Sequence, residues 1–310
     1  MTGAPPILGV VGPTASGKTD LAMALAIRLP VEILVADSRQ VYRGMDVGTA
    51  KPDADARAAV PHHLLDLVDP DQPFTVADWV AAARTAIGEV ASRGRIPLLV
   101  GGTGLYVAAL VDGHDYAAQP WSPARRARLA EELAATGLEP LANRLRRLAP
   151  EVAARTDLRN PRRVLRALER AEAGDAERPR ATAHGGPVAF VALDRPRHVL
   201  YRRIDERARR LFGADGLLDE VRRLLDAGHG PDLRPMSSHG YLEAMGHLAG
   251  EWSLEEAIER SARRTRQYAK RQLTWFRRDE RVRWLPAGER PGDDPELVNA
   301  AADRLGAVLS

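Results

Sequence analysis

Residues Gly12-Pro13-Thr14-Ala15-Ser16-Gly17-Lys18-Thr19 satisfy the pattern G-x-x-x-x-G-K-[ST] in full. The apolar run Ile7–Val11 precedes them and a helical stretch, Lys18–Leu29, follows. In that context the pattern reads as a phosphate-binding loop. Glycine permits a tight turn in which successive N–H groups face phosphate oxygens, and the helix N-terminus adds a favourable dipole. Lys18 supplies a full charge, and the Thr19 hydroxyl is placed to bind Mg²⁺. The loop implies a di- or triphosphate but no particular reaction. An NTP-dependent kinase or ATPase and a transferase with a diphosphate leaving group both remain open.

Two further strand ends carry chemistry. The run Glu32–Ala36 ends in Asp37-Ser38-Arg39-Gln40, and Ile96–Val100 ends in Gly101-Gly102-Thr103-Gly104. In a doubly wound sheet, ligands lie at the carboxyl ends of strands, so Asp37 and Thr103 are expected in one crevice with the phosphate loop. A carboxylate there either holds Mg²⁺ or takes a proton from a nucleophile. Thr103 offers a hydroxyl to a phosphate or a leaving oxygen. The glycine-rich stretch Tyr42–Pro52 reads as an ordered functional loop, with Lys51 reaching either phosphate or solvent. Arg203 and Arg207 are spaced for one helix face, where one of them could reach a diphosphate.

These residues need a frame. Ile7–Val11, Glu32–Ala36, Ile96–Val100 and Val188–Leu193 are continuous apolar runs, as expected of parallel strands covered on both faces. Helices are expected between them, notably Val76–Ser92, with Thr75 and Asp78 as a capping box and Gly94 as its end. From about Trp121 to Arg170 no strand signal occurs, only arginine-rich helices punctuated by Pro123, Pro140, Pro150 and Pro161. The loop Gly174–Pro187 returns the chain to the sheet, and after Arg195 it is helical again: Arg197–Phe212, Leu217–Ala227, Tyr241–Ala249 and Leu254–Arg278. The expected fold class is α/β, a P-loop NTPase-like doubly wound parallel sheet with an all-helical insertion domain. Residues 1–117 and 187–310 form the expected catalytic core, and 118–186 the insertion.

Composition narrows the classes. The 310 residues are 45% hydrophobic and 28% charged, ordinary for a globular protein. No run of about 18 apolar residues exists and the N-terminus lacks a signal pattern, so a cytoplasmic protein is expected. Absence of cysteine excludes disulfides and thiolate chemistry. Only three of 45 basic residues are lysine, Lys18, Lys51 and Lys270. Net charge is +3, but residues 121–170 carry twelve arginines against six acids, and residues 260–283 ten cations against two. Segregation of this kind favours a polyanion.

The set GPTASGKT, ADSRQVYRGMDVGTAKP, PHHLLDLVDP, RIPLLVGGTGLYVAAL and RRTRQYAKRQLTWFRRD resembles the bacterial tRNA dimethylallyltransferases over roughly residues 7–286. The resemblance implies transfer of a dimethylallyl group from dimethylallyl diphosphate to N6 of the adenosine 3′-adjacent to the anticodon. Pyrophosphate leaves and Mg²⁺ assists. By the same resemblance, Gly12 to Thr19 hold the diphosphate rather than ATP, although ATP-binding is a usual label for such loops. Asp37 is then the general base, with Lys18 and Thr103 as its catalytic companions. Asp37, Ser38, Arg39, Gln40 and Thr103 contact the tRNA anticodon loop, as do Arg126, Arg162, Arg163, Val164, Leu165, Arg166, Gly240 and Tyr241. Arg263, Arg264, Arg266, Lys270 and Arg271 could also face RNA, while Trp275 and Phe276 read as core. No protein partner is required and no membrane is involved. The alternatives are an adenylate dimethylallyltransferase acting on free AMP, a small-molecule kinase, and an RNA-binding protein with an inactive nucleotide site.

Overall fold

A computed structural model describes residues 3–113, 122–174 and 183–309. The chain divides into two compact units, one of residues 1–111 and 184–310, the other of residues 112–183. The first contains a six-stranded, wholly parallel sheet: β1 Ile7–Val11, β2 Val31–Ala36, β3 His62–His63, β4 Ile96–Gly101, β5 Val188–Asp194 and β6 Val282–Pro286. The strands lie in the order β3-β2-β4-β1-β5-β6. Because β4 sits between β2 and β1, successive connections leave in opposite directions there. A crevice at the carboxyl ends follows from that reversal.

The apolar runs form strands because both faces are covered. Alternate residues Leu8, Val10, Ile33, Val35, Leu98, Val100 and Val191 pack on α1 (Lys18–Arg28) and α13 (Pro295–Gly306). Helices α3 (Val76–Ser92) and α4 (Gly104–Val111) pack together, with Trp79 stacked on Tyr106 at 4.5 Å and its indole N–H donating to the Val35 carbonyl. The expected capping box of α3 forms: Thr75 accepts from the Asp78 amide, and Asp78 accepts from Thr75. Register pairs Ala36 with Gly101. A Cβ on Gly101 would overlap the Ala36 carbonyl oxygen, so only glycine lets these two strand ends meet.

Five elements go beyond the sequence expectation: β3, β6, α2 (Ala54–Ala59), α13 and a short 3-10 helix, Arg234–Ser237. Strand β3 is two residues long and sits at the sheet edge. Strand β6 alternates between buried Val282 and exposed Arg283, so no continuous apolar run marks it.

The second unit consists of α5 (Pro123–Thr136), α6 (Leu138–Leu148), α7 (Pro150–Ala154) and α8 (Pro161–Ala171). Its core is Leu129, Leu141, Leu145, Val164 and Leu168. Ser122 and Asn160 cap α5 and α8 with their side-chain oxygens, and proline stands at the first helical position, where its missing N–H costs nothing. The expected boundary at 117/118, Trp121, and most of the loop 174–187 lie outside the described residues.

Replacing Gly101 with alanine forces β2 and β4 apart at the crevice. The expected outcome is a loss of about 3 kcal/mol in urea unfolding. An unchanged midpoint and slope would show that the close approach is dispensable.

Candidate active site

The phosphate loop joins β1 to α1. Gly12, Ala15 and Gly17 take positive φ of 123°, 62° and 97°. Among the described residues, no acceptor meets the backbone N–H groups of Ala15, Ser16, Gly17, Lys18 and Thr19. The Ser16 hydroxyl is also buried without a partner. Unpartnered N–H groups that converge at a helix N-terminus are a ready site for an anion. Thr14 N–H instead donates to Gln272 Oε1 (2.8 Å), and Gln272 Nε2 donates to the Gly102 carbonyl (2.8 Å). One glutamine of α12 (Leu254–Phe276) thus ties the loop after β1 to the loop after β4.

A cavity of about 320 Å³ opens beside this loop. Its polar lining includes Lys18, Asp20, Asp37, Arg203, Glu206 and Arg207, and its apolar lining Ala22, Ile33, Val35 and Val100. The cations come from two places in the chain. Lys18 Nζ donates to the Pro13 carbonyl at 2.8 Å, and burial lowers its pKa to about 8, opposed by the nearby Asp37 carboxylate and assisted by Arg207. Arg203 and Arg207 stand on α9 (Arg197–Phe212). Arg203 Nε donates to the Ala15 carbonyl at 3.0 Å, and Arg207 Nη1 to the Thr14 hydroxyl at 3.4 Å. Burial also pulls the Arg207 pKa down, and no carboxylate pairs with it among the described residues. Both arginines therefore reach the loop, where the spacing alone suggested one. Arg195, which drew no notice in the sequence, supports the loop from behind: its Nε donates to the Ser16 carbonyl at 2.7 Å.

Asp37 lines the cavity, and Thr103 stands at the neighbouring strand end. Asp37 Oδ1 accepts the Arg39 N–H at 2.8 Å, and Oδ2 has no hydrogen-bond partner among the described residues. Thr103 Oγ1 accepts the Ser38 N–H at 3.0 Å, and Thr103 N–H donates to the Ala36 carbonyl at 3.1 Å. Strand-end geometry thus locks the acid and the hydroxyl together. Tyr268 of α12 also lies within the influence of Asp37, and burial raises its pKa to about 12. His239, tilted against Tyr268 at 5.2 Å, is depressed to about 4 by burial and by Arg264, Arg271 and Arg39, so it is neutral.

Other expected residues fall elsewhere. Lys51 reaches neither phosphate nor solvent; its Nζ is buried against the Tyr42 carbonyl, Asp46 and Asp66. Tyr241 is fully buried, and its hydroxyl donates to Glu220 at 2.6 Å, so its side chain offers no surface to a macromolecule. Gly240 is buried as well, at the N-terminus of α11 (Tyr241–Leu248). In the second unit Val164 is 0% exposed and Leu165 packs on the same core, so Val164 makes no direct contact with RNA. Arg126 and Arg166 both pair with the buried Glu169, at 2.7 Å and 2.9 Å. Arg162 and Arg163 are exposed, with no acid beside them among the described residues. Phe276 is buried as expected, but Trp275 is 47% exposed, its ring lying against Gly104. Helical spacing places Trp275 beside a buried phenylalanine and gives no sign of this.

Among the described residues no three His, Cys, Asp or Glu side chains gather as a metal cluster, and no helix is long and apolar enough to cross a membrane. The arrangement can bind a compact polyanion on donors and cations, hold an apolar group beside it, and present a carboxylate to a nucleophile.

Comparison with known proteins agrees. The family model described as IPP transferase matches residues 40–279, and that described as isopentenyl transferase matches residues 6–60. A tRNA dimethylallyltransferase of Anaeromyxobacter sp. (strain K) is 49% identical over 301 residues, covering 96% of this chain and 95% of its own. One from Syntrophobacter fumaroxidans is 45% identical, covering 96% and 88%. The crystal structure of the full-length tRNA isopentenylpyrophosphate transferase of Bacillus halodurans superposes with a TM-score of 0.71 at 38% identity, covering 98% of each chain. A eukaryotic dimethylallyltransferase acting on tRNA gives 0.76 at 25% identity, with 92% of this chain and 74% of that one covered. The chain belongs to the IPP transferase family, whose named members are tRNA-prenylating enzymes.

Proposed function

We propose that this protein transfers a dimethylallyl group from dimethylallyl diphosphate to N6 of the adenosine 3′-adjacent to the anticodon in tRNA, releasing pyrophosphate. The observation that carries the reading is the cavity itself, which brings Lys18 and Arg207 within the influence of Asp37 and adds apolar lining from Ile33, Val35 and Val100. A diphosphate satisfies the cations and the open N–H groups of Ala15 to Thr19, and the apolar side suits a five-carbon chain.

The exocyclic amine of adenine is a weak nucleophile because its lone pair is delocalised into the ring. Asp37 takes its proton as the C–N bond forms and the C–O bond to diphosphate breaks. Charge then develops on pyrophosphate, where Lys18, Arg203, Arg207 and the loop N–H groups offset it. Thr103 accepts from Ser38 N–H and shares a side-chain hydrogen bond with Tyr268, which fixes its hydroxyl at the strand end beside that of Asp37. The exposed Thr19 hydroxyl, with no cluster of three carboxylates or histidines among the described residues, suits Mg²⁺ held mainly by phosphate oxygens and water; bound there, it would supply further charge neutralisation. The anticodon-loop base leaves its stack to enter the cavity. Arg162 and Arg163 are proposed to grip RNA phosphates, whereas Arg126 and Arg166 maintain the second unit through Glu169.

Labelled dimethylallyl diphosphate with Mg²⁺ and undermodified tRNA or AMP tests the reading. Transfer to tRNA alone is expected. Transfer to AMP but not to tRNA would replace the acceptor, and ATP-dependent phosphorylation without prenyl transfer would replace the reaction. Asp37→Ala is expected to lower turnover by about a thousandfold while tRNA affinity stays near that of the parent; normal turnover would remove the general base. Charge reversal at Arg162 and Arg163 is expected to weaken tRNA binding about tenfold or more and to flatten its salt dependence. Unchanged affinity and salt slope would exclude the grip.

Lys18 predicts a pH dependence. With its pKa at about 8, the free protein carries the ammonium below that pH and loses it above. A bound diphosphate raises the pKa, so donor binding near pH 8 takes up a proton and weakens as pH rises. Calorimetry in buffers of different ionisation heat is expected to show this uptake, and Lys18→Arg to abolish it, because arginine stays charged. Donor affinity independent of pH across this range would contradict the assignment.

A further inference from the structure

Glu220, in α10 (Leu217–Asp226), is 1% exposed, and no cation pairs with it among the described residues. Its oxygens instead accept three successive backbone N–H groups: Asp46 at 2.8 Å, Val47 at 2.7 Å and Gly48 at 3.1 Å. The Tyr241 hydroxyl is the fourth donor, at 2.6 Å, and its ring lies against Gly48, where a Cβ would collide. A carboxylate removed from water is tolerated only when charge-assisted hydrogen bonds replace its hydration. Four donors do so here, and three of them belong to one loop. The carboxylate therefore dictates where that loop lies.

The consequence reaches the cavity two residues further on. Thr49 and Ala50 line it, and their carbonyls accept both hydrogens of the Gln40 side-chain amide, at 3.0 Å and 3.2 Å. With its nitrogen committed to the loop, the amide has one free polar atom, Oε1, an acceptor. Gln40 and Asp37 both line the cavity, three positions apart in the chain. An exocyclic amine carries two N–H bonds. Asp37 and Gln40 Oε1 can take one each, so that the proton leaving to Asp37 and the one retained are distinguished before reaction. An exocyclic carbonyl oxygen in place of the amine would face two acceptors and be rejected.

We propose that Glu220 is a positioning residue for the acceptor base: it fixes the 46–50 loop and, through the Thr49 and Ala50 carbonyls, aims the Gln40 amide oxygen at the amine presented to Asp37. The proposal rests on the acceptor reading above. It assigns Tyr241 an interior role, as a donor to Glu220 rather than a contact with RNA.

The test is a double-mutant cycle in the full-length protein between Glu220→Gln and Gln40→Ala. A glutamine at 220 turns an N–H toward at least one of the four donors. It is expected to raise KM for tRNA about tenfold while KM for dimethylallyl diphosphate stays within about twofold. Gln40→Ala is expected to do the same, and the double variant to be no worse than Gln40→Ala alone, because both act through one amide. Tyr241→Phe keeps the ring against Gly48 and removes one donor. It is expected to shift KM for tRNA about threefold, again without effect in the Gln40→Ala background, and it carries the test if Glu220→Gln does not fold. Effects that multiply in the cycle, or a parallel rise in both KM values, would overturn the proposal. Absence of transfer to tRNA by the parent protein would overturn the functional reading instead, and is measured first.

Discussion

Positive charge partly withdrawn from water beside the Asp37 carboxylate is the feature on which the rest of the site depends. Lys18 and Arg207 both lose basicity to burial, and the Asp37 carboxylate opposes the loss in each case, joined at Arg207 by Asp215. Cations in that state bind anions more strongly than they would on a surface, because water competes less. The arrangement is only stable if the scaffold prevents relaxation. Arg203 and Arg195 are anchored to the carbonyls of Ala15 and Ser16, and Gln272 bridges the loops after β1 and β4. The phosphate loop is thus braced by α9 and α12, elements some 180 and more residues later in the chain.

The abundance of arginine separates into two populations once pairing is known. Arg126, Arg128, Arg144 and Arg166 are consumed by Glu132, Glu169 and Glu172 and hold the second unit together. On α12, Arg264 pairs with Glu243 and Arg266 with Asp205. Arg263, Lys270 and Arg271 remain exposed, with no acid beside them among the described residues. A polyanion finds the second population, since a guanidinium already in a bidentate pair must break it before binding phosphate. The count of cations per segment therefore overstates the surface open to RNA.

Buried acids play the complementary part. Glu32, Glu169, Glu220 and Glu243 are all under 5% exposed. Glu32 secures the edge strand through His63 and Arg93, and Glu169 secures α8 against α5. Glu220 differs in accepting backbone and phenol donors rather than a cation. Its field is spent on the loop between β2 and α2, which forms the cavity wall nearest Asp37.

Much of the catalytic half was legible in the residues themselves. A phosphate loop is a local object: its glycines, lysine and threonine lie within eight positions, and its strand and helix flank it directly. Strand ends that carry Asp37 and Thr103 could be placed because the apolar runs before them have only one way to be covered on both faces. What lay beyond reach were relations between distant segments. Spacing could not tell that Lys51 is buried on Asp66, that Tyr241 is an interior donor, that Arg126 serves Glu169, or that Trp275 is half-exposed beside buried Phe276. Those outcomes turn on which partner meets each polar group after packing, a long-range choice with no periodic trace. By itself the sequence determined the chemistry on offer, a phosphate cradle, an acid and a hydroxyl at neighbouring strand ends. The tertiary structure alone decided which charges stay free to use it, because desolvation and pairing are properties of the assembled fold.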